Sequence, residues 1–171
     1  MKVSGDLLLF DFSAPESFES WGSIDDQVMG GVSQSQFAQS GSGVAVFSGS
    51  ISFEHHGGFA SVRTAPGSYD LSAYSGLEMH LHGDGKRYKL SLTTDPRFES
   101  VTYRAPFDTK MGKWVTVRIP FDHFQPTFRG QIVPDAPPLD PGSIRTFGFL
   151  ISDRQEGAFR LEVKWIKAYS D

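Results

Sequence analysis

Two short stretches concentrate the residue types that can bind or do chemistry. Asp25, Asp26 and Gln27 open the segment DDQVMGGVS (25–33), which sets two carboxylates and an amide beside a glycine pair. The segment ISFEHHGGFASVR (51–63) carries His55 and His56 into Gly57-Gly58 and ends on Arg63. The adjacent carboxylates could serve as general acid and base, as metal ligands or as recognition groups. A glycoside-cleaving pair needs its carboxyls roughly 5 to 9.5 Å apart, a spacing that separate strands supply more readily than neighbours on a loop. One of the two could instead cap the turn at Gly30-Gly31 through backbone amides. Arg63 can grip a carboxylate with two parallel hydrogen bonds, so it either bridges to Asp25 or Asp26 or meets an anionic group of a partner.

Other polar residues carry weaker signals. His55 and His56 are neighbours on a strand and face opposite ways, which is poor geometry for one metal. His80 and His82 share a face with Glu78 and could offer nitrogen and oxygen ligands, but a solvated outer face explains them equally well. A D-x-[DN]-x-[DN]-G loop is absent, so a structural calcium has no motif behind it and no cofactor is expected. Trp21, Tyr103 and Trp114 would stack on sugar rings if exposed, and would fill the core of a Phe-rich protein if not. Arg129, beside Gly130, is the polar group that stands out in the proline-rich segment. Asp25, Asp26, Gln27, His56, Arg63, Tyr103, Arg104 and Arg129 are therefore the candidate partner- or ligand-binding residues. No catalytic residue and no metal ligand is assigned, because G-x-S-x-G, Walker and H-E-x-x-H motifs are all missing.

These residues must be positioned by strands. Leu77, Met79 and Leu81 alternate with Glu78, His80 and His82, and Tyr88, Leu90 and Leu92 continue the same period of two. Glycine pairs and Asp-Gly steps separate such runs, so 51–63 is expected to be a hairpin turning at Gly57-Gly58, and Gly83-Asp84-Gly85 another. Leu8, Phe10 and Phe12 are expected to share one face, as are Phe159, Leu161, Val163 and Trp165. Ser13 to Ser20 could hold one helical turn. Between Pro120 and Ser143 six prolines interrupt the period, and the segment is expected to be a long loop pinned by Phe121, Phe124 and Phe128. About eleven strands and almost no helix predict an all-β, two-sheet jelly-roll sandwich forming one domain over 1–171.

Bulk composition narrows the function. The 171 residues suffice for a core without disulfides or metals, and there is no cysteine to supply either. A net charge of −4 gives no general attraction to nucleic acid or anionic lipid. No apolar run approaches the length of a membrane span, so direct membrane insertion is not expected. The opening MKVSGDLLLFDF, with one lysine and an apolar patch broken by Asp11, is expected to be the first strand rather than a signal peptide.

Several segments together resemble the complex I intermediate-associated protein 30 (CIA30) family: Trp21 with DDQVMGGVS, Phe47-Ser48-Gly49, GGFASVR, WVTVRIPFDHF, PTFRG, and FGFLISDRQEGAFRLEVKWI at 147 to 166. The resemblance runs in order from about Leu8 to Tyr169. It implies a galactose-binding-like jelly roll and a non-catalytic role in assembling a membrane-bound electron-transfer complex, respiratory or photosynthetic. Protein subunits of such a complex would be the partners. The protein is expected on the cytoplasmic or organelle-matrix side, held at a membrane through them. Without a presequence, the resemblance further implies a bacterial or minimal version. Two alternatives stand beside it: a carbohydrate-binding module, suggested by the fold and aromatic content, and a hydrolase using Asp25 or Asp26.

Overall fold

Apolar side chains on every second residue give each strand one face to bury, and two sheets laid face to face bury all of them at once. The computed structural model describes residues 6–14, 21–25, 34–40, 43–51, 59–95, 101–128, 131–152, 155 and 157–170. Among them are thirteen strands: β1 Leu7–Asp11, β2 Trp21–Asp25, β3 Gln34–Gln39, β4 Ala45–Ile51, β5 Ala60–Thr64, β6 Gly76–His82, β7 Arg87–Thr93, β8 Thr102–Asp108, β9 Trp114–Pro120, β10 Gln125–Phe128, β11 Gln131–Ile132, β12 Thr146–Ile151 and β13 Gly157–Tyr169. One sheet runs β3-β4-β13-β6-β9, with β1 also paired to β13. The other runs β11-β10-β8-β7-β12-β5-β2. The order is that of the expected all-β jelly roll, and all the strand pairings are antiparallel.

Between the sheets lies a continuous core in which Phe47, Leu77, Met79, Leu81, Tyr88, Leu90, Leu92, Phe147, Phe149 and Leu161 are fully buried. Burying each such side chain stabilises by about 1.5–3 kcal/mol, so the alternation read at 77–81 and 88–92 is also where the sandwich is fastened. The polar residues Glu78, His80 and His82 face outward as that alternation requires.

Several local expectations are corrected. The stretch 51–63 is not a hairpin, because β4 and β5 belong to different sheets and the chain crosses the sandwich between them. Gly83-Asp84-Gly85 likewise carries the chain from β6 in one sheet to β7 in the other, with Gly85 at φ +89°. Trp165 does not face the core. The pairing of β13 with β6 steps from Val163↔Leu81 to Trp165↔His80, and the extra residue, Lys164, turns every later side chain to the opposite face, so that Ile166 and Ala168 are buried instead. A similar shift between Leu8 and Phe10 buries Phe10 and Phe12 but leaves Leu8 49% exposed. The proline-rich segment is partly regular: it holds β10, β11 and two 3-10 turns, Phe121–His123 and Pro141–Ser143. Phe121 and Phe124 are buried as expected, whereas Phe128 is exposed. The helical turn expected at Ser13 to Ser20 falls mostly outside the described residues.

Candidate functional site

Strand alternation puts one ionisable set on the outer face of the seven-stranded sheet. Following the pairings across the strands, Gly22, Arg63, Gly148, Ser91, Arg104 and Gln125 form one row. The next row runs Ser61, Leu150, Lys89 and Pro106. Each strand offers its second face to the core, as Val62, Phe149, Leu90 and Ala105 are buried in the intervening row. Arg63 and Arg104 are thus three strand spacings apart, roughly 14 Å between Cα atoms, a gap that two guanidinium side chains can narrow from either side.

The floor between them is low. A Cβ on Gly148 would stand 2.6 Å from the Val62 carbonyl oxygen and 2.9 Å from Ser91 Oγ, so only glycine fits where β12 passes between Arg63 and Ser91. Arg63, Lys89, Ser91 and Arg104 are half-buried along this trough. Burial lowers the pKa of Arg63, but a guanidinium titrates so far above neutrality that it remains charged. At one margin Arg87 Nε donates to Asp108 Oδ1 at 2.9 Å, an exposed pair worth little by itself. Among the described residues of β5, β12, β7, β8 and β10, the outward ionisable groups are therefore Arg63, Arg87, Lys89 and Arg104 against the single carboxylate of Asp108. Such a surface can bind carboxylates by charge-assisted, two-pronged hydrogen bonds.

The structure brings together two of the candidates, Arg63 and Arg104, and separates a third. Tyr103 lies next to Arg104 in sequence but on the opposite face, buried, with its hydroxyl donating to the Pro137 carbonyl at 2.8 Å. Burial also pushes the Tyr103 phenol pKa up. It ties the proline-rich segment to the core. Asp25 closes β2 opposite Ala60, whereas Arg63 lies opposite Gly22. The side chain of Asp25, and Asp26, Gln27, His56 and Arg129 as a whole, lie outside the described residues, as does the Arg63 bridge to either aspartate. Lys89, Ser91 and Gly148 were not singled out from sequence. Alternation alone places Lys89 and Ser91 outward, opposite Tyr88 and Leu90, but only the strand order sets them between the two arginines.

The aromatic candidates also divide. Trp21 packs into the core edge, 4.8 Å from Phe37 and 5.8 Å from Phe12 between ring centres. Trp114, on the edge strand of the other sheet, is 43% exposed. Glu78, His80 and His82 do share a face, but each has another partner: Arg118 Nε at 3.3 Å, Thr116 Oγ1 at 3.1 Å and Glu162 Oε2 at 2.8 Å.

A family model described as complex I intermediate-associated protein 30 (CIA30) matches residues 10–163. The mitochondrial protein of that name from Drosophila melanogaster is 26% identical over 93% of this chain and 61% of its own length. The Mus musculus protein of the same name is 31% identical over 61% of this chain and 33% of its own. Among solved structures, the family 11 carbohydrate-binding module from Clostridium thermocellum superposes with a TM-score of 0.75 over 99% of this chain and 98% of its own, at 17% identity. That likeness shows the jelly-roll fold alone. The match spans under two thirds of the length of both named relatives.

Proposed function

Since the chain belongs to the complex I intermediate-associated protein 30 family, we propose that it is a non-catalytic factor that binds protein subunits of a membrane-bound electron-transfer complex during its assembly. The family match over residues 10–163 carries this reading. The outer face of the seven-stranded sheet supports it with a surface of suitable chemistry. Arg63, Lys89 and Arg104 stand around a glycine-floored trough, positioned by strands rather than by loops. A segment of a client subunit bearing acidic residues would find half-buried charged donors there, at positions that the strands set. The one outward carboxylate described on these strands, Asp108, is already paired to Arg87, and a hydrolytic pair of carboxylates is not formed among them. No helix among the described residues is long and apolar enough to cross a membrane. The relatives' printed names place them in mitochondria, and the matrix side of an organelle membrane, or the cytoplasmic side in a cell without organelles, is the proposed site of action.

The test is crosslinking and pull-down from membranes of the source cells. Bait with Arg63→Gln, Lys89→Gln and Arg104→Gln, shown to be folded by its circular dichroism, is compared with the wild type. Recovery of electron-transfer subunits by the wild type and its loss in the triple variant is the expected result. Equal recovery by both baits would remove this face from the proposal. Normal levels of every such complex in a deletion strain would remove the assembly role itself.

A further inference from the structure

The outer face of the other sheet carries a second, chemically different site. Where β4, β13, β6 and β9 lie side by side, Val44, His80, Trp114, Glu162 and Lys164 line a shallow cleft of about 440 Å³. That volume lies within the roughly 300–1,000 Å³ typical of small-molecule sites. Its walls are held in place before any ligand arrives. Glu162 accepts from His82 Nδ1 at 2.8 Å and from Arg160 Nη2 at 3.2 Å. His80 is fixed by Thr116 and lies between two indoles, with ring centres 5.0 Å from Trp114 and 5.8 Å from Trp165 and planes within about 17° of parallel. Lys167 Nζ sits 4.2 Å from the centre of the Trp165 ring. Lys164, the extra residue of the bulge, is placed at the cleft by the same irregularity that turns Trp165 outward.

We propose that this cleft binds a pyranose sugar, as a mono- or disaccharide, with the Trp114 indole against the ring's C–H face and Glu162 and Lys164 on its hydroxyls. A hydroxyl both donates and accepts, and the cleft offers the Glu162 carboxylate, braced by Arg160, as acceptor beside the Lys164 ammonium as donor. The Trp114 indole, 43% exposed and braced on His80, supplies the apolar surface that the C–H face of a pyranose needs, while Val44 in the lining is buried. The proposal is independent of the assembly reading, which uses the opposite sheet.

Titrating the full chain with methyl β-D-glucopyranoside, methyl β-D-galactopyranoside, cellobiose and lactose, up to tens of millimolar, tests it by indole N–H shifts in two-dimensional NMR. A saturable shift of the Trp114 indole with at least one sugar is expected. Trp114→Ala, followed through the Trp165 indole and the backbone amides, and Glu162→Gln should each weaken that binding tenfold or more, while Arg63→Gln with Arg104→Gln should leave it unchanged. No saturable shift with any of the four sugars overturns the proposal. So does binding that survives both cleft substitutions, or that is lost in the arginine variant. Trp114 is an exposed edge residue, and Glu162→Gln preserves shape, so loss of folding does not intervene in both.

Discussion

At the scale of single residues, Tyr88 is the group whose chemistry the fold alters most. Its ring is fully buried, and its hydroxyl lies 3.0 Å from each carboxylate oxygen of Asp84. Asp84 also accepts from the backbone amides of Lys86 and Arg160, so one carboxylate joins β7 of one sheet to β13 of the other. Desolvation first, and then the Asp84 charge, push the Tyr88 phenol far above its ordinary value of 10.0. An unfolded tyrosine loses its proton near that value while folded Tyr88 keeps it. The stabilisation is therefore complete below pH about 10 and falls as pH rises further, because the folded state then binds more protons than the unfolded one. Tyr88→Phe should cost about 1 kcal/mol at neutral pH, yet lose less stability than wild type on going to alkaline pH. Parallel slopes of Tm against pH in the two proteins would assign the alkaline loss to other groups, among them Tyr69 and Tyr103, whose burial shifts them the same way. Trp165 marks a second residue-scale contrast. Because it stacks on His80 at the surface instead of filling the core, Trp165→Ala should cost only about 0.5–1.5 kcal/mol, the worth of an aromatic pair. Phe149→Ala, at a fully buried site, should cost about 3–5 kcal/mol, and denaturant titration of the two variants separates these costs.

At the scale of elements, the sequence discloses which residues alternate but not which sheet receives them. Leu77 to Leu81 and Tyr88 to Leu92 were legible because a period of two survives in any sandwich. The links at 52–59 and 83–86 were not, since a glycine that reverses a strand within one sheet serves equally well to carry it about 10 Å to the other. Bulges were invisible too: nothing in EVKWI marks Lys164 as the extra residue, and one unpaired residue was enough to reverse Trp165. The candidate site suffered from the same gap. Arg63 and Arg104 are 41 positions apart in sequence, and only the order β5-β12-β7-β8 sets them around Gly148. That glycine gives the element-scale prediction. In Gly148→Ala the new methyl would meet Ser91 Oγ, which can rotate, and the Val62 carbonyl of β5, which is backbone and cannot swing away freely. Overpacking of this kind costs about 1–3 kcal/mol. At roughly 2–4 °C per kcal/mol for a domain of this size, thermal melting should fall by several degrees, and a Tm equal to wild type would show that β12 and β5 can part at that point.

For the whole molecule, the distribution of charge says more than its total. A chain of net charge −4 is repelled on average by an acidic partner, yet among the described residues Arg63, Lys89 and Arg104 give one face of one sheet more positive than negative side chains. Such a molecule is drawn in by orientation: at low salt an acidic client segment is attracted to that face and repelled by others, which raises productive encounters without a large gain in final affinity. Screening acts over a Debye length of about 10 Å at 0.1 M salt, so the partly exposed row should feel it strongly. On the proposed assembly role, capture of electron-transfer subunits is expected to weaken as ionic strength rises, chiefly through slower association, and Arg63→Gln, Lys89→Gln and Arg104→Gln together should flatten that dependence. Surface-binding kinetics with the recovered subunit, measured across a salt series, read both effects. Association that ignores salt would move the contact to the apolar hairpin of β10 and β11, where Phe128 and Ile132 are 38% and 59% exposed.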